Sequence, residues 1–164
     1  MNERPVIERL QPCLLDRLTD NDPSRKNESR DARVVSLRQY KSAVLRDLST
    51  LLNSKARPPD DPIHEFPEVS RSVLNYGLRD LCGLSISNLR TAEIIDELEK
   101  AILIFETRIL KNSLSVNIAS SLQGSGIRSI CFEIEGEIWA QPLPDHLYVK
   151  TEVDIESGHY DIKD

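Results

Sequence analysis

The sequence predicts an α+β fold, with N-terminal helices and a central helix packed on a small, mostly antiparallel three-stranded sheet. Three observations carry that prediction. Apolar residues in the first two thirds recur at the three-and-four spacing of helix faces. Those in the last third alternate with the period of two expected of half-buried strands. Helices come first and strands last, with no alternating βαβ units, which places helices on one face of an antiparallel sheet.

Val6, Leu10, Leu14 and Leu18 repeat every four residues and predict one short amphipathic helix, which Pro12 interrupts or restarts at its first turn. From Thr19 to Arg33 the chain is polar, mixed in charge and poor in apolar residues. It buries too little to offset the entropy of ordering and reads as a mobile linker. The predicted organisation is therefore an N-terminal helix and linker over 1–35 and an α+β domain over 36–164. Ser36 and Gln39 have capping-box spacing, and Leu37, Tyr40, Val44, Leu48 and Leu51 form a helical stripe through Asn53. Pro58, Pro59 and Pro62 cannot continue that helix and enforce an extended crossing.

Val69, Val73, Leu74 and Leu78 then predict a short helix over 68–76, with Gly77 as its left-handed terminator. Asn88 or Thr91 caps the central helix, and Glu93 sits in its first turn, where a carboxylate is favoured. The first strand carries Leu114, Val116 and Ile118. A turn on the glycines of QGSGI leads to a second, in which Ile130, Phe132, Ile134 and Ile138 alternate with Cys131, Glu133, Glu135 and Glu137. Pro142 and Pro144 punctuate the next connection before Leu147, Val149, Val153 and Ile155 define the third strand, closed by a Ser157-Gly158 turn. So narrow a sheet leaves edges for a neighbour's strand.

The central helix runs into the first strand through Ala101–Asn117, and two charges interrupt that junction. Ile94, Ile95, Leu98, Ala101, Ile102 and Phe105 mark a buried helix face, so Glu106 and Arg108 stand where two core elements meet. An arginine suits a helix C-terminus, whereas a glutamate opposes the macrodipole there. Residues two apart do not face each other on a helix, so the pair meets only if the chain leaves helical geometry near Thr107. The residues leave two readings open: a solvated charge pair, or a polar docking or catalytic site.

Composition narrows the function classes. A formal charge of −6 argues against a generally nucleic-acid-binding surface, and no basic tract appears. No run reaches the roughly 18 apolar residues of a membrane span, and MNERPVIERL lacks the apolar core of a signal peptide, so a cytoplasmic protein without direct membrane insertion is expected. Cys13, Cys82 and Cys131 suggest reduced thiols, and neither they nor His64, His146 and His159 have metal-ligand spacing. No cofactor is called for. Phosphate-cradling glycine loops, nucleophile elbows and HExxH helices are absent. A glycan hydrolase would need a second carboxylate beside Glu106, and Glu133 and Glu135 fall on the solvated strand face.

Four blocks, PCLLDRLTD at 12–20, SAVLRDLSTLLNS at 42–54, SVLNYGLRDLCG at 72–83 and AILIFETRI at 101–109, share an order and spacing with a known family. Together with CFEIEGEIWA and VKTEVDIESGHYDI near the C-terminus, they make most of the chain resemble TssE, the small baseplate subunit of type VI secretion systems. Its wider family includes a baseplate-wedge protein of contractile phage tails and is often labelled lysozyme-like. The family signature Glu-Pro-Arg is met here by Glu106 and Arg108, with Thr107 in place of the proline. The resemblance implies a structural, non-enzymatic subunit of a six-fold baseplate docked at the inner membrane. It implies contacts through Glu106 and Arg108 to the wedge subunits TssF and TssG, and association with TssK. It also implies that the subunit templates the sheath subunits TssB and TssC through strand addition. The lysozyme-like label keeps a glycan hydrolase using Glu106 as the alternative.

Overall fold

Ser36 opens the longest helix through a capping box: its hydroxyl accepts the Gln39 N–H, and the Gln39 side chain accepts the Ser36 N–H at 3.0 Å. The computed structural model describes residues 10–19, 23–24, 34–82, 91–120, 129–140 and 143–163. Its helices are α1 (Leu14–Leu18), α2 (Leu37–Leu52), α3 (Pro67–Ser70) and α4 (Thr91–Phe105), with single 3-10 turns at Pro62–Glu65 and Val73–Asn75. The stripe read from the sequence is the face that packs, since Tyr40, Val44, Leu48, Leu51 and Leu52 of α2 are buried. In α4 the buried residues are Ile94, Leu98, Ala101 and Ile102.

These two helices cover one face of an antiparallel sheet ordered β1 (Ser115–Ser120), β2 (Ser129–Ile138), β3 (Asp145–Asp154) and β4 (Tyr160–Lys163). Phe132, Ile134 and Ile138 of β2 and Leu147, Val149 and Val153 of β3 enter the shared core, while Glu135, Glu137, Tyr148 and Lys150 face solvent. Each fully buried aliphatic or phenylalanine side chain contributes about 1.5–3 kcal/mol, so this one interface dominates the fold's stability. Thr151 lies on the same inner face, where its hydroxyl donates to the Asp161 carbonyl at 3.1 Å.

The α+β class stands, but the sheet has four strands where three are predicted. The fourth contains one apolar alternation, Tyr160 and Ile162, too short for periodicity to register. It forms because the chain turns back at Gly158, with φ +70°, and because Asn53 binds Tyr160 from the helix side.

The N-terminal element also differs from expectation. Leu10 is not on a helix face but in an isolated bridge with Val35, where it is buried, and Leu14 and Leu18 point into solvent. Pro12 separates the two environments. The single helix expected over 68–76 breaks into α3 and a 3-10 turn that Ser72 caps by accepting the Leu74 N–H, and Val73 and Leu74 are exposed. Thr91 is already helical, the first described residue of α4, and not its cap. Val6, Asn88, Pro142, the QGSGI turn and most of the 19–33 linker lie outside the described residues.

Gly77 does more than end a helix. It has φ +120°, and a Cβ there would lie 2.3 Å from the Ser54 carbonyl oxygen. That closeness comes from the parallel bridge between Lys55 and Leu78, in which the Leu78 N–H donates to Ser54 and the Ala56 N–H to Leu78, both at 2.9 Å. Gly77→Ala is expected to lower the unfolding free energy by about 2–4 kcal/mol in urea titrations, because backbone must shift. Gly158→Ala, whose added methyl is crowded only by the Asp80 carboxylate tip at 3.2 Å and otherwise makes ordinary contacts with Cys82, is expected to cost about 1 kcal/mol.

Candidate functional site

After Phe105 the chain leaves the helix and joins the end of β2. The Trp139 N–H donates to the Arg108 carbonyl and the Leu110 N–H to the Glu137 carbonyl, both at 2.8 Å, around a bridge between Ile109 and Ile138. Thr107 and Arg108 form the intervening turn. This departure from helical geometry lets Glu106 and Arg108 meet. Glu106 Oε1 accepts the Arg108 N–H at 3.1 Å and its Nε–H at 2.7 Å, and Oε2 accepts from Nη2. The helix-terminal glutamate is thereby accounted for: it caps the following turn and holds a guanidinium instead of facing the helix dipole alone.

The pair is not a solvated one, because the Glu106 and Arg108 side chains are only 6% and 16% exposed. Arg108 Nη2 also donates to Asp47 Oδ2 on α2 at 2.7 Å. Asp47 Oδ1 in turn accepts from Arg46 Nε and Nη2 at 2.9 and 2.8 Å, and Arg46 reaches Asp16 on α1. Asp16, Arg46, Asp47, Arg108 and Glu106 thus alternate in sign and connect α1, α2 and the end of α4. Burial works to lower the Arg108 pKa, but the hydrogen bond and charge of Glu106, with those of Asp47, more than offset it and hold the group above its ordinary range. Hydrogen bonds from Arg46 and from the Cys13 thiol hold the Asp16 carboxyl below its usual range.

An open cavity of about 470 Å³ lies along this chain of charges. Asp47, Glu106 and Arg108 form its polar wall, Tyr40, Tyr76 and Phe105 its aromatic wall, and Gln11 and Cys13 line it from the N-terminal segment. Tyr76 and Phe105 meet edge to face with centroids 5.1 Å apart, and the Arg108 guanidinium lies 5.9 Å from the Tyr40 ring centroid. Beside the cavity, α1 is turned inside out. Asp16 faces Arg46, while Leu14, Leu15 and Leu18 are 70%, 60% and 74% exposed.

Both residues singled out by sequence fall in this site, together with three that sequence reasoning missed. Asp47 follows Val44 by three positions and precedes Leu51 by four, so it lies on the packed stripe of α2. A carboxylate inside that stripe was the legible signal. Arg46 and Asp16 carry no such signal, since only the tertiary fold brings α1 beside α2. Glu133 and Glu135 lie away from Glu106, on the strand face, bonded to Tyr148 and His146.

A family model described as baseplate wedge protein gp25 matches residues 38–143, well over half of the chain. The chain belongs to the baseplate wedge protein gp25 family. It is therefore a structural part of a phage-tail-like baseplate and interacts with other baseplate components. The matched region opens within α2 and closes before β3, and it contains Asp47, Glu106 and Arg108. No curated protein and no solved structure matches the chain. No helix among the described residues is long and apolar enough to cross a membrane.

Two substitutions separate the network from the turn that carries it. Glu106→Ala leaves the mostly buried Arg108 guanidinium without its main partner and is expected to cost about 3 kcal/mol in urea unfolding. Thr107→Pro is expected to add about 0.5–1 kcal/mol, because Thr107 is exposed and its N–H has no hydrogen-bond partner among the described residues.

Proposed function

We propose that this wedge protein is a TssE-type subunit of a type VI secretion baseplate and that it acts without catalysis. The cavity beside Glu106, Arg108 and Asp47 receives the wedge subunits TssF and TssG, within a six-fold assembly that also includes TssK. That baseplate docks at the inner membrane from the cytoplasmic side, and the sheet templates the first TssB and TssC sheath subunits.

The observation that carries the reading is the combination of a held guanidinium with an open, aromatic-walled cavity. Arg108 is fixed by two carboxylates from different elements, so its orientation is set before a partner arrives. The exposed Leu14, Leu15 and Leu18 add apolar area next to that charged centre, the arrangement expected of a docking surface.

Hydrolysis is the other reading, and Asp47 supplies the second carboxylate beside Arg108 and Glu106 that Glu133 and Glu135 do not. The hydrogen bonding weighs against it. Both oxygens of Glu106 already accept from Arg108, and the same guanidinium engages Asp47, so neither carboxylate is free to present a proton to a glycosidic oxygen.

Capture of purified TssF and TssG by the tagged chain tests the docking role. Arg108→Lys keeps the charge and loses the fork, and it is expected to weaken capture about tenfold while circular dichroism remains that of the wild type. Glu106→Gln is expected to act in the same direction. Undiminished capture by both variants would sink the role, and release of soluble fragments from peptidoglycan by the wild type would revive hydrolysis.

A further inference from the structure

Helices α2 and α4 cover one face of the sheet; on the other, Glu135, Glu137, Tyr148 and Lys150 are exposed. The two ends of that outer face differ. At one end Glu152 is neutralised, since it accepts from the Ser129 hydroxyl and the Lys163 ammonium. At the other, Glu133, Glu135 and Glu137 form a row along β2, and Trp139, two positions on, extends it in the same outward sense. Trp139 is the chain's single tryptophan and is 48% exposed, and Tyr148, across from Glu135, is 49% exposed. The Tyr148 hydroxyl donates to Glu133 at 2.8 Å and a His146 ring nitrogen lies 3.1 Å from Glu135, but the Glu137 carboxylate has no partner among the described residues. Lys150 stands opposite Glu133, so the outward strand residues at this end remain net acidic. Half-exposed aromatic rings beside unneutralised carboxylates are the make-up of a docking surface for a cationic partner.

The strand that carries the row offers such a partner no free main chain. β2 pairs with β3 along its length and with β1 from Cys131 to Glu135, while the Glu137 carbonyl and the Trp139 N–H are bonded to Leu110 and Arg108. The bulge in β1 between Ile118 and Ser120 falls opposite Phe132 and Cys131, outside the acidic end. A segment lying on this face must therefore satisfy its own main chain, as a helix does. The row from Glu133 to Trp139 runs about 20 Å, the length of about 13 helical residues, and its carboxylates are about 7 Å apart, close to the ~6 Å rise between helix positions four apart. A second copy presenting the same face would set carboxylate against carboxylate, and a phosphate-bearing surface is repelled likewise. Arginine suits both parts of the face, because its guanidinium forks to carboxylates and stacks on aromatic rings.

We propose that the outer sheet face from Glu133 to Trp139 docks a helix of a partner protein that carries arginines at four-residue spacing. Their guanidinium groups engage Glu135 and Glu137 and stack on Trp139 and Tyr148. None of these side chains lines the cavity at Arg108, so the face is a docking surface separate from it.

Because the chain has a single tryptophan, its emission reports on this face alone. The probe is a synthetic alanine-based helix of about 14 residues with arginine at every fourth position, and its counterpart carries glutamate at those positions. At physiological salt the arginine helix is expected to change Trp139 emission saturably and the glutamate helix to leave it unchanged. The double variant Glu135→Gln and Glu137→Gln is expected to weaken binding about tenfold, and Glu152→Gln, at the neutralised end, to leave it unchanged. A helix with lysine in place of arginine is expected to bind severalfold more weakly. Amide chemical shifts of the wild-type chain give an independent reading, with changes at Glu135, Glu137 and Tyr148 and none at Glu152 or Lys163. No saturable response, an equal response to the glutamate helix, undiminished binding by the double variant, or shifts centred on Glu152 overturns the surface. A lysine helix that binds as tightly overturns the assignment of arginine. Self-association of the chain that the two glutamine substitutions abolish would make the occupant a second copy and overturns the proposal as well.

Discussion

The arrangement depends on one guanidinium. Arg108 is held by Glu106 from its own turn and by Asp47 from α2, so a single side chain fixes the end of α4 against α2. The main chain of the same turn bonds to the end of β2. Buried ion pairs contribute little net stability compared with well-packed apolar residues, while loss of one partner is costly. Such a network constrains geometry more than it adds stability. Here it ties the turn after α4 to α2 along the polar wall of the cavity.

The turn at Thr107 holds its shape without a proline. Glu106 accepts the main-chain N–H of Arg108, and the bridge at Ile109 fixes the residues that follow. The turn is thus specified from both sides without a residue of fixed φ. Proline would restrict the unfolded chain further, but the contact between the two charges does not require it.

The helical stripe of α2, its capping box and the buried face of α4 were legible because each is a local pattern that tertiary packing reinforces. Glu106 and Arg108 stood out because charge interrupts a buried junction. The remaining partners were hidden for different reasons. Asp47 lies on a packed stripe, where a charged residue is easily read as a flanking position. Asp16 and Arg46 come together only through the fold, α1 being too short and too exposed for its periodicity to indicate which side faces inward. β4 escaped because its stability comes from outside itself, from the hairpin with β3 and from Asn53, which lies 107 positions away.

The same fold presents two distinct surfaces, a charged aromatic cavity at the end of α4 and an open strand edge on β1. Between them lies the core that α2 and α4 share with the sheet, so the cavity and the edge are held in fixed relation. Hydrogen exchange of the chain, alone and within a complex with TssF and TssG, tests the central claim most directly. The account predicts slowed exchange at Thr107–Ile109 and through Leu14–Leu18 on assembly. Unchanged exchange at both segments, with new protection elsewhere, would contradict it.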